Sequence, residues 1–257
     1  MSKIIDVSEF NGTIDWEKVK KAGVDYAIIR AGGRYGVSGQ IYDDDTAYYN
    51  CKEALNNGIG IGLYFFSQAV SIYEAEEEAD YLIKFINKTN ALSNYVAEDG
   101  IKVTLPLYID TEYLDSGRHN ELTKEERTEV VKAFCKRIEE AGYKAGVYAS
   151  LSWFYNQLKV EDLLSYSIWI AQYNDTCDFK YKYDIWQYTS SGRVSGIYGK
   201  VDLNKFGALP KTYSDEIKIM AVDTILGKYG NGTKRVEALG KYYEEVQSLV
   251  NELMEGR

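Results

Sequence analysis

The chain has 257 residues, of which 45% are hydrophobic and 27% are charged, as is usual for globular proteins of one or two domains. Its formal net charge of −9 argues against a nucleic-acid partner, because nucleic acids bind basic surfaces. No apolar run approaches the roughly 18–20 residues of a membrane span, so we expect no membrane insertion. The first residues lack the basic start and apolar stretch of a secretory signal, which predicts synthesis without a signal peptide.

Cysteine and histidine are too few to carry the chemistry. The odd set of Cys51, Cys135 and Cys177 does not indicate a disulfide framework. The single histidine, His119, leaves almost no ligands for zinc, so we expect neither a metal nor a cofactor. A Ser-His-Asp or Cys-His centre would need His119, which lies in a polar stretch and which we interpret as a solvated loop residue. Carboxylates remain as the candidate catalytic groups.

Short apolar runs alternate with helical patterns from residue 3 to about residue 206. The predicted strands are Lys3–Asp6, Tyr26–Arg30, Gly60–Phe66, Leu107–Asp110, Ala145–Tyr148, Ile168–Ala171, Asp184–Tyr188 and Lys200–Leu203. Helices are predicted over Trp16–Ala22 and Thr46–Asn57, and capping boxes at Ser71 and Thr123 open two more. This alternation predicts an α/β fold, a TIM-like barrel with a mostly parallel sheet and an irregular final third.

The pattern changes to helices alone after a Pro-containing segment at Ala208–Thr212. The predicted helices are Asp215–Leu226, Thr233–Leu239 and Tyr243–Met254. We therefore predict a barrel domain over residues 1–209, a linker over 210–213 and an all-α three-helix module over 214–257. The alternative is that the tail is one more packing layer of the barrel.

Carboxylates stand at the ends of three predicted strands. Asp6 ends the first strand, Asp110 and Glu112 end the fourth, and the eighth carries Asp202. A single Asp after a strand is often only a helix cap or turn former. In a βα barrel, however, catalytic groups lie at the carboxyl ends of the strands, so four such carboxylates predict one acidic site.

Asp110 and Glu112 give the sharpest indication of chemistry. At positions i and i+2 of an extended segment, their side chains point to the same face. Two carboxyl groups so close resist simultaneous ionisation, which raises the pKa of one of them. Glycoside hydrolysis needs such a division between a protonated acid and an ionised partner. The longer Glu112 is the predicted general acid, and the alternative is a turn-capping Asp-x-Glu.

Aromatic residues that follow the strands are candidates for substrate binding. The chain has 24 Tyr and 4 Trp, and sugar rings stack on such flat surfaces while their hydroxyls need polar partners. Many tyrosines belong to the core, so position matters more than number. The predicted substrate-binding aromatics are Tyr64, Tyr148, Tyr173 and Trp186.

Four motifs, in the right order over about residues 3–206, resemble glycoside hydrolase family 25, the lysozymes common in phage endolysins and bacterial autolysins. They are Asp6-Val7-Ser8 with Ile14-Asp15-Trp16, then Tyr108-Ile109-Asp110-Thr111-Glu112, Trp169-Ile170-Ala171-Gln172-Tyr173, and Trp186-Gln187-Tyr188 followed by Val201-Asp202-Leu203-Asn204. The resemblance implies a β5α5β3 barrel that hydrolyses the β-1,4 bond between N-acetylmuramic acid and N-acetylglucosamine. It also implies a catalytic set of Asp6, Asp110, Glu112 and Asp202, with Glu112 as general acid and Gln187 among the substrate-binding residues. The family's implied mechanism uses the substrate's own 2-acetamido group, steadied by one of the aspartates, and the choice of aspartate stays open.

The tail resembles the cell-wall-binding repeats of the CW-seven type. The similarity covers Gly227-Lys228-Tyr229-Gly230-Asn231-Gly232, Arg235, Leu239-Gly240 and Val250-Asn251-Glu252-Leu253. It departs from the repeat in having Tyr229 where a Trp is usual. Arg235 is the predicted wall-binding residue, since its guanidinium suits a peptide-stem carboxylate, and the alternative is a solvated helix residue.

The sequence therefore predicts a peptidoglycan-cleaving muramidase that lyses bacterial cell walls. Two other functions stay open: a non-catalytic peptidoglycan-binding protein on the same fold, and a barrel glycosidase that acts on chitin. Acting on the wall without a signal peptide would require release by a phage holin, or an extracellular route.

Overall fold

The computed structural model describes residues 3–91, 103–207 and 214–255, in two compact units, Met1–Gly207 and Ala208–Arg257. The strands of the first unit are β1 (Lys3–Val7), β2 (Val24–Arg34), β3 (Ile41–Asp43), β4 (Gly60–Phe66), β5 (Val103–Asp110), β6 (Ala145–Ser150), β7 (Ser167–Ala171), β8 (Ile185–Gly192) and β9 (Val201–Phe206). They form one sheet in the order β1-β9-β8-β7-β6-β5-β4-β2-β3, and β1 also pairs with β2. Eight strands thus close into a barrel, with β3 attached to the outside of β2, and the predicted fold class is confirmed.

Helices cover the outside of the barrel. They are α1 (Trp16–Lys21), α2 (Ala47–Asn56), α3 (Ile72–Ala91), α4 (Lys124–Glu140) and α5 (Leu151–Gln157). The predicted capping box of α4 is present: Thr123 accepts a hydrogen bond from the Glu126 amide, and the Glu126 side chain accepts one from the Thr123 amide. This capping box fixes the residue at which α4 begins.

The barrel interior is apolar in its middle and polar near the carboxyl ends of the parallel strands. Residues that alternate along the strands point inward, and the interior cluster contains Ile4, Ile28, Tyr108, Trp169 and Ile185, each at most 1% exposed. One further step along the same alternation brings Asp6 and Asp110 into the layer above this cluster. The period of two thus places the polar residues over a filled core rather than over an open channel.

The last strand is antiparallel to its neighbours and lies in the final third of the barrel, which the sequence predicts to be irregular. Strand β9 pairs antiparallel with both β8 and β1, whereas the neighbours from β1 to β8 in the ring are parallel. A parallel β9 would need a long crossover, but the short connection from Gly192 to Val201 permits only a reversal. As a result, Asp202 lies at the carboxyl-end rim because it is near the start of its strand, not at its end.

The second unit consists of α6 (Asp215–Ile225), α7 (Thr233–Leu239) and α8 (Tyr243–Glu255). Its core is formed by Ile217, Ala221, Leu239, Val246 and Val250, which are 0–7% exposed. These helices match the three predicted from the sequence to within one residue at each end. The predicted linker at residues 210–213 lies outside the described residues. Among the helices that the structure describes, none has the length and apolar character needed to cross a membrane.

Candidate active site

A pocket of about 190 Å³ opens at the carboxyl ends of the parallel strands. It is lined by Asp6, Tyr64, Asp110, Glu112, Tyr148, Trp169, Tyr173, Gln187, Ser190 and Asp202. The structure therefore brings together all four predicted catalytic carboxylates and four of the five predicted substrate-binding residues. They meet here because the strands alternate inward and outward and because β9 reverses direction.

Asp110 and Glu112 share the pocket but differ in burial. Asp110 is 5% exposed, and its Oδ1 atom has no hydrogen-bond partner among the described residues, whereas Glu112 is half-buried. Burial raises the pKa of Asp110 well above its usual range, the charges of Glu112 and Asp6 raise it further, and Arg30 opposes them. Burial and then the charge of Asp202 also raise the pKa of Glu112. The pocket thus favours the protonated forms of both carboxyl groups.

Asp6 and Asp202 are partners across the antiparallel β1–β9 pair and hydrogen-bond to each other. The Asp6 Oδ2 atom also accepts hydrogen bonds from the Gln187 amide at 2.9 Å and the Asn204 amide at 2.7 Å. Burial and the charge of Asp202 raise the pKa of Asp6 well above its usual range. A hydrogen bond between two carboxyl groups needs a proton on one of them, and the raised pKa of Asp6, the more buried partner, favours Asp6 as the group that carries it.

We expect Asp6→Asn to retain activity to within about tenfold, because its amide supplies permanently the N–H that a protonated Asp6 offers to Asp202. Its stability should also respond differently to pH. A folded-state pKa above the unfolded value stabilises the fold at low pH, and this contribution is lost as pH rises through the folded pKa. Urea unfolding at pH 5 and pH 8 measures this difference. The free energy of unfolding should fall less between pH 5 and pH 8 in Asp6→Asn than in the wild type. The exposed control Asp45→Asn should follow the wild type, and an equal loss in Asp6→Asn would contradict a protonated Asp6.

Gln187 is placed in the pocket, but three of the four hydrogen-bonding positions of its amide are used within the protein. Its Oε1 atom accepts hydrogen bonds from the hydroxyls of Tyr148 and Tyr173, both at 3.0 Å, while its Nε2 atom donates to Asp6. At 2% exposure it has little surface to offer a substrate. Its geometry therefore favours positioning the carboxyl pair, whereas Tyr173, 59% exposed, remains free to contact a ligand at the rim.

Trp186 does not line the pocket. It is 4% exposed and packs in the cluster between strands and helices, and its indole N–H donates to the Gln172 carbonyl at 2.7 Å. The Lys205 ammonium lies 4.1 Å from the ring centroid. Because successive strand residues point to opposite faces, Trp186 faces outward where Gln187 faces inward. The substrate-binding prediction for Trp186 does not agree with this placement.

Sequence reasoning missed Trp169 and Ser190 among the lining residues. Trp169 is 1% exposed, and its indole N–H donates to the Asn204 side chain at 2.8 Å, which orients the amide that holds Asp6. Its position two residues before Ala171 at the end of β7 would have identified it by the same alternation rule. Nothing in the local sequence distinguishes Ser190.

The interpretation of His119 as a solvated loop residue is wrong. The imidazole is 2% exposed and lies under the loop after β5, where its Nε2 atom is 2.9 Å from the Glu112 carbonyl oxygen. Burial and then the charge of Arg127 lower the pKa of His119 to about 4. The polar residues around His119 in the sequence suggest an exposed position. Its burial comes from packing between loops at the rim of the barrel, which the local sequence does not indicate.

Arg235, in the second unit, uses its guanidinium inside the module. Its Nε, Nη1 and Nη2 atoms donate to the Gly230 carbonyl, the Gln247 side chain and the Asn231 side chain at 2.9–3.1 Å. Three of its five N–H groups are thus occupied, and two remain for a ligand.

No group of three or more His, Cys, Asp or Glu residues in the described ranges could hold a metal ion.

An α/β barrel with an acidic pocket at this rim is typical of glycoside hydrolases. The family model described as glycosyl hydrolases family 25 matches residues 5–197. The chain therefore belongs to glycosyl hydrolase family 25. A second family model, described as the CW_7 repeat, matches residues 219–254 in the three-helix unit.

Two of the relatives are named as lysozymes. Lysozyme M1 of Streptomyces globisporus is 28% identical over 214 residues, which cover 79% of this chain and 66% of that protein. The autolytic lysozyme of Clostridium acetobutylicum is 28% identical over 208 residues, which cover 79% of this chain and 55% of that protein. The solved structure of the modular autolysin LytC from Streptococcus pneumoniae matches with a TM-score of 0.69 and 30% identity, over 80% of this chain and 46% of that one. The chain thus spans less than two thirds of the length of these relatives.

Proposed function

We propose that the protein is an N-acetylmuramidase that hydrolyses the β-1,4 bond between N-acetylmuramic acid and N-acetylglucosamine and so lyses bacterial cell walls. The observation that carries this proposal is the pocket in which a half-buried Glu112 lies beside a buried Asp110 with an unpartnered oxygen. The lysozyme names of the relatives support peptidoglycan as the substrate. The protein would act at the wall after holin-dependent release or from outside the cell.

Glu112 has the properties of the proton donor. It is the half-buried member of the pair, and burial and the charge of Asp202 raise its pKa, which favours the protonated form that a proton donor needs. In the first step its proton moves to the glycosidic oxygen, and the bond from that oxygen to C1 of the muramic acid breaks. The departing sugar leaves as an alcohol, and Glu112 becomes a carboxylate that can later take a proton from water.

Asp110 is the best-placed partner for the substrate's 2-acetamido group. The Asp6 carboxyl group is held by Gln187 and Asn204 at its Oδ2 atom and hydrogen-bonds to Asp202, whereas Oδ1 of Asp110 has no partner among the described residues. An acetamido N–H donating to Asp110 would favour its ionised form, because hydrogen bonds to a carboxylate lower its pKa. The acetamido oxygen could then attack C1 as the glycosidic bond breaks, and water would open the resulting ring with retention.

Aromatic side chains at the rim support a polymeric sugar substrate. Tyr113 and Tyr173 follow β5 and β7 and are 64% and 59% exposed. Phe10 follows β1 and is 84% exposed, and the buried Arg30 guanidinium lies 4.8 Å from its ring centroid. An exposed ring held in place on one face offers its other face for stacking against a pyranose. These positions provide contacts beyond the two sugars at the cleaved bond.

Digestion of purified walls in ¹⁸O-labelled water, followed by borohydride reduction and mass spectrometry, tests the reaction. A muramidase yields products with labelled, reduced muramic acid ends. Reduced glucosamine ends would identify another bond, and products from chitin oligomers alone would identify a chitinase. Wall binding without products from pH 4 to 8 would support the non-catalytic alternative.

We also propose that the three-helix unit binds peptidoglycan and raises the concentration of the barrel at the wall. The CW_7 match and the two unoccupied N–H groups of Arg235 support this role. Its partner would be the carboxylate of a peptide stem, which accepts a two-pronged hydrogen bond from a guanidinium.

Ending the chain after Gly207 should leave turnover of soluble glycan fragments within about twofold. Clearing of whole walls should fall by about tenfold or more, because tethering supplies local concentration without changing the chemistry. Turbidity of a wall suspension and release of fragments from a soluble substrate measure the two effects. In the full chain, Arg235→Gln should reproduce the loss on walls if the guanidinium makes the contact, and exposed Lys234→Gln is its control. Equal losses on both substrates would contradict a tethering role.

A further inference from the structure

The loop that carries Glu112 is held by residues that do not line the pocket. Strand β5 ends at Asp110, so Glu112 lies beyond the last strand residue, and Tyr113 after it is 64% exposed. The His119 Nε2 atom lies 2.9 Å from the Glu112 carbonyl oxygen. Since a carbonyl oxygen only accepts, Nε2 must carry the hydrogen. The single histidine of the chain thus holds the backbone of Glu112.

Trp153 anchors the residue before Glu112. Its indole N–H donates to the Thr111 hydroxyl at 3.1 Å, and the Thr111 amide donates to the Tyr148 carbonyl at 3.1 Å. Thr111 is 3% exposed and Trp153 is 8% exposed, so water competes little for these bonds. Residues 111 and 112 are therefore fixed by two side chains that lie outside the pocket.

Arg127 holds the two anchors together. Its guanidinium carbon lies 4.9 Å from the Trp153 ring centroid, and the imidazole of His119 lies 5.7 Å from that indole. The Arg127 Nη2 atom donates to the His119 carbonyl at 2.9 Å. Arg127 is 2% exposed and makes no ion pair with a carboxylate within the described ranges. Its positive charge and the burial keep His119 neutral above about pH 4, as the lowered pKa indicates.

We infer that His119 and Trp153 are positioning residues that hold the carboxyl group of Glu112 at the glycosidic oxygen. The inference rests on the proposed function, because it assigns these residues a task in that reaction. General acid catalysis requires the donor within hydrogen-bond distance of its acceptor, and a misplacement of about 1 Å costs up to 100-fold in rate. A loop residue beyond the end of its strand needs such fixing more than a strand residue does.

Trp153→Phe, with Trp16→Phe as its matched control, tests the inference in the full chain. Both changes remove one buried indole hydrogen bond, since the N–H of Trp16, the first residue of α1, donates to Asn50 on α2 at 3.1 Å, and Trp16 does not line the pocket. Trp153→Phe should lower kcat on soluble glycan about tenfold, leave KM within twofold and move the alkaline limb of the pH profile, which reports the acid. Trp16→Phe should keep kcat and the pH profile. Equal kcat values in the two variants would overturn the inference.

His119 gives a second measurement through rescue. His119→Phe removes the donor to the Glu112 carbonyl, whereas the side-chain amide of His119→Gln can still reach it. We expect about tenfold loss of kcat in the first and recovery to within threefold in the second. A wild-type kcat in His119→Phe would overturn the inference, and so would equal loss in both variants when both unfold like the wild type in urea.

The failure of this inference can be separated from failure of the proposed function. Glu112→Gln is assayed beside these variants: if it stays active, Glu112 is not the acid and the proposed mechanism fails. If Glu112→Gln is inactive while Trp153→Phe is normal, only the positioning role fails. If the wild type shows no turnover, NMR titration of ¹³C-labelled Glu carboxyl groups still tests the positioning role, because it measures the pKa of Glu112 directly. The resonance absent from Glu112→Gln should shift its pKa in Trp153→Phe but not in Trp16→Phe.

Discussion

Glu112→Gln should abolish most hydrolysis of peptidoglycan while leaving wall binding intact. Glutamine keeps the shape and the polar contacts of a protonated glutamate but has no proton to give at the glycosidic oxygen. Loss of a general acid lowers kcat by about 10²–10⁴-fold. Release of labelled, reduced muramic acid ends from purified walls measures the effect, and sedimentation with the walls measures binding.

The exposed residue Glu129 on α4 provides the control for this experiment. Glu129→Gln makes the same chemical change on the helical surface and should retain wild-type kcat. If Glu112→Gln keeps more than about a tenth of the wild-type kcat, another group protonates the leaving oxygen, and Asp110 would be the first candidate because its pKa is also raised.

Asp110→Asn should lower kcat by roughly 100-fold, the order of loss when one electrostatic partner of a transition state is removed. Asparagine can still accept an N–H at its carbonyl oxygen, so the loss isolates the negative charge that steadies the acetamido group. The effect should fall on kcat more than on KM, because the positive charge at the sugar develops only as the bond breaks. Steady-state kinetics on a soluble glycan measures both constants.

Asp184→Asn is the matched control for Asp110→Asn. Asp184 precedes β8 at the amino-terminal end of the barrel, and its Oδ2 atom accepts a hydrogen bond from the Ile168 amide at 3.0 Å. The change should affect stability only. Normal turnover in Asp110→Asn would remove Asp110 from the mechanism and turn attention to Asp202, whose carboxyl is also half-buried in the pocket.

Most of the barrel could be predicted because its strands and helices carry strong periodic patterns. The eight predicted strands overlap the eight of the closed ring, and the alternation of inward residues leads directly to Asp6, Asp110 and Asp202. Strand β3 has only three residues, too short for a clear pattern, and α5 is also not among the predicted helices. The antiparallel direction of β9 depends on ring closure, which no local pattern records.

The site was predictable in its carboxylates but not in the groups that fix them. His119 lies in a polar segment that is typical of exposed loops, yet it is buried by Trp153, which follows 34 positions later in the chain. The outward orientation of Trp186 and the hydrogen bonds of Gln187 depend on neighbours from other segments of the chain. Such features need the three-dimensional arrangement, because sequence distance does not indicate which side chains will meet.

The pairing of β9 with β1 makes completion of the fold a condition for enzymatic action. Asp6 emerges early in synthesis and Asn204 late, and their hydrogen bond joins positions separated by 198 residues. An unfinished chain lacks β9, so its barrel is not closed and the acidic pocket is incomplete, however well its early helices have formed. In a refolding experiment, recovery of turnover should lag behind recovery of the helical signal, because contacts so distant in sequence close slowly.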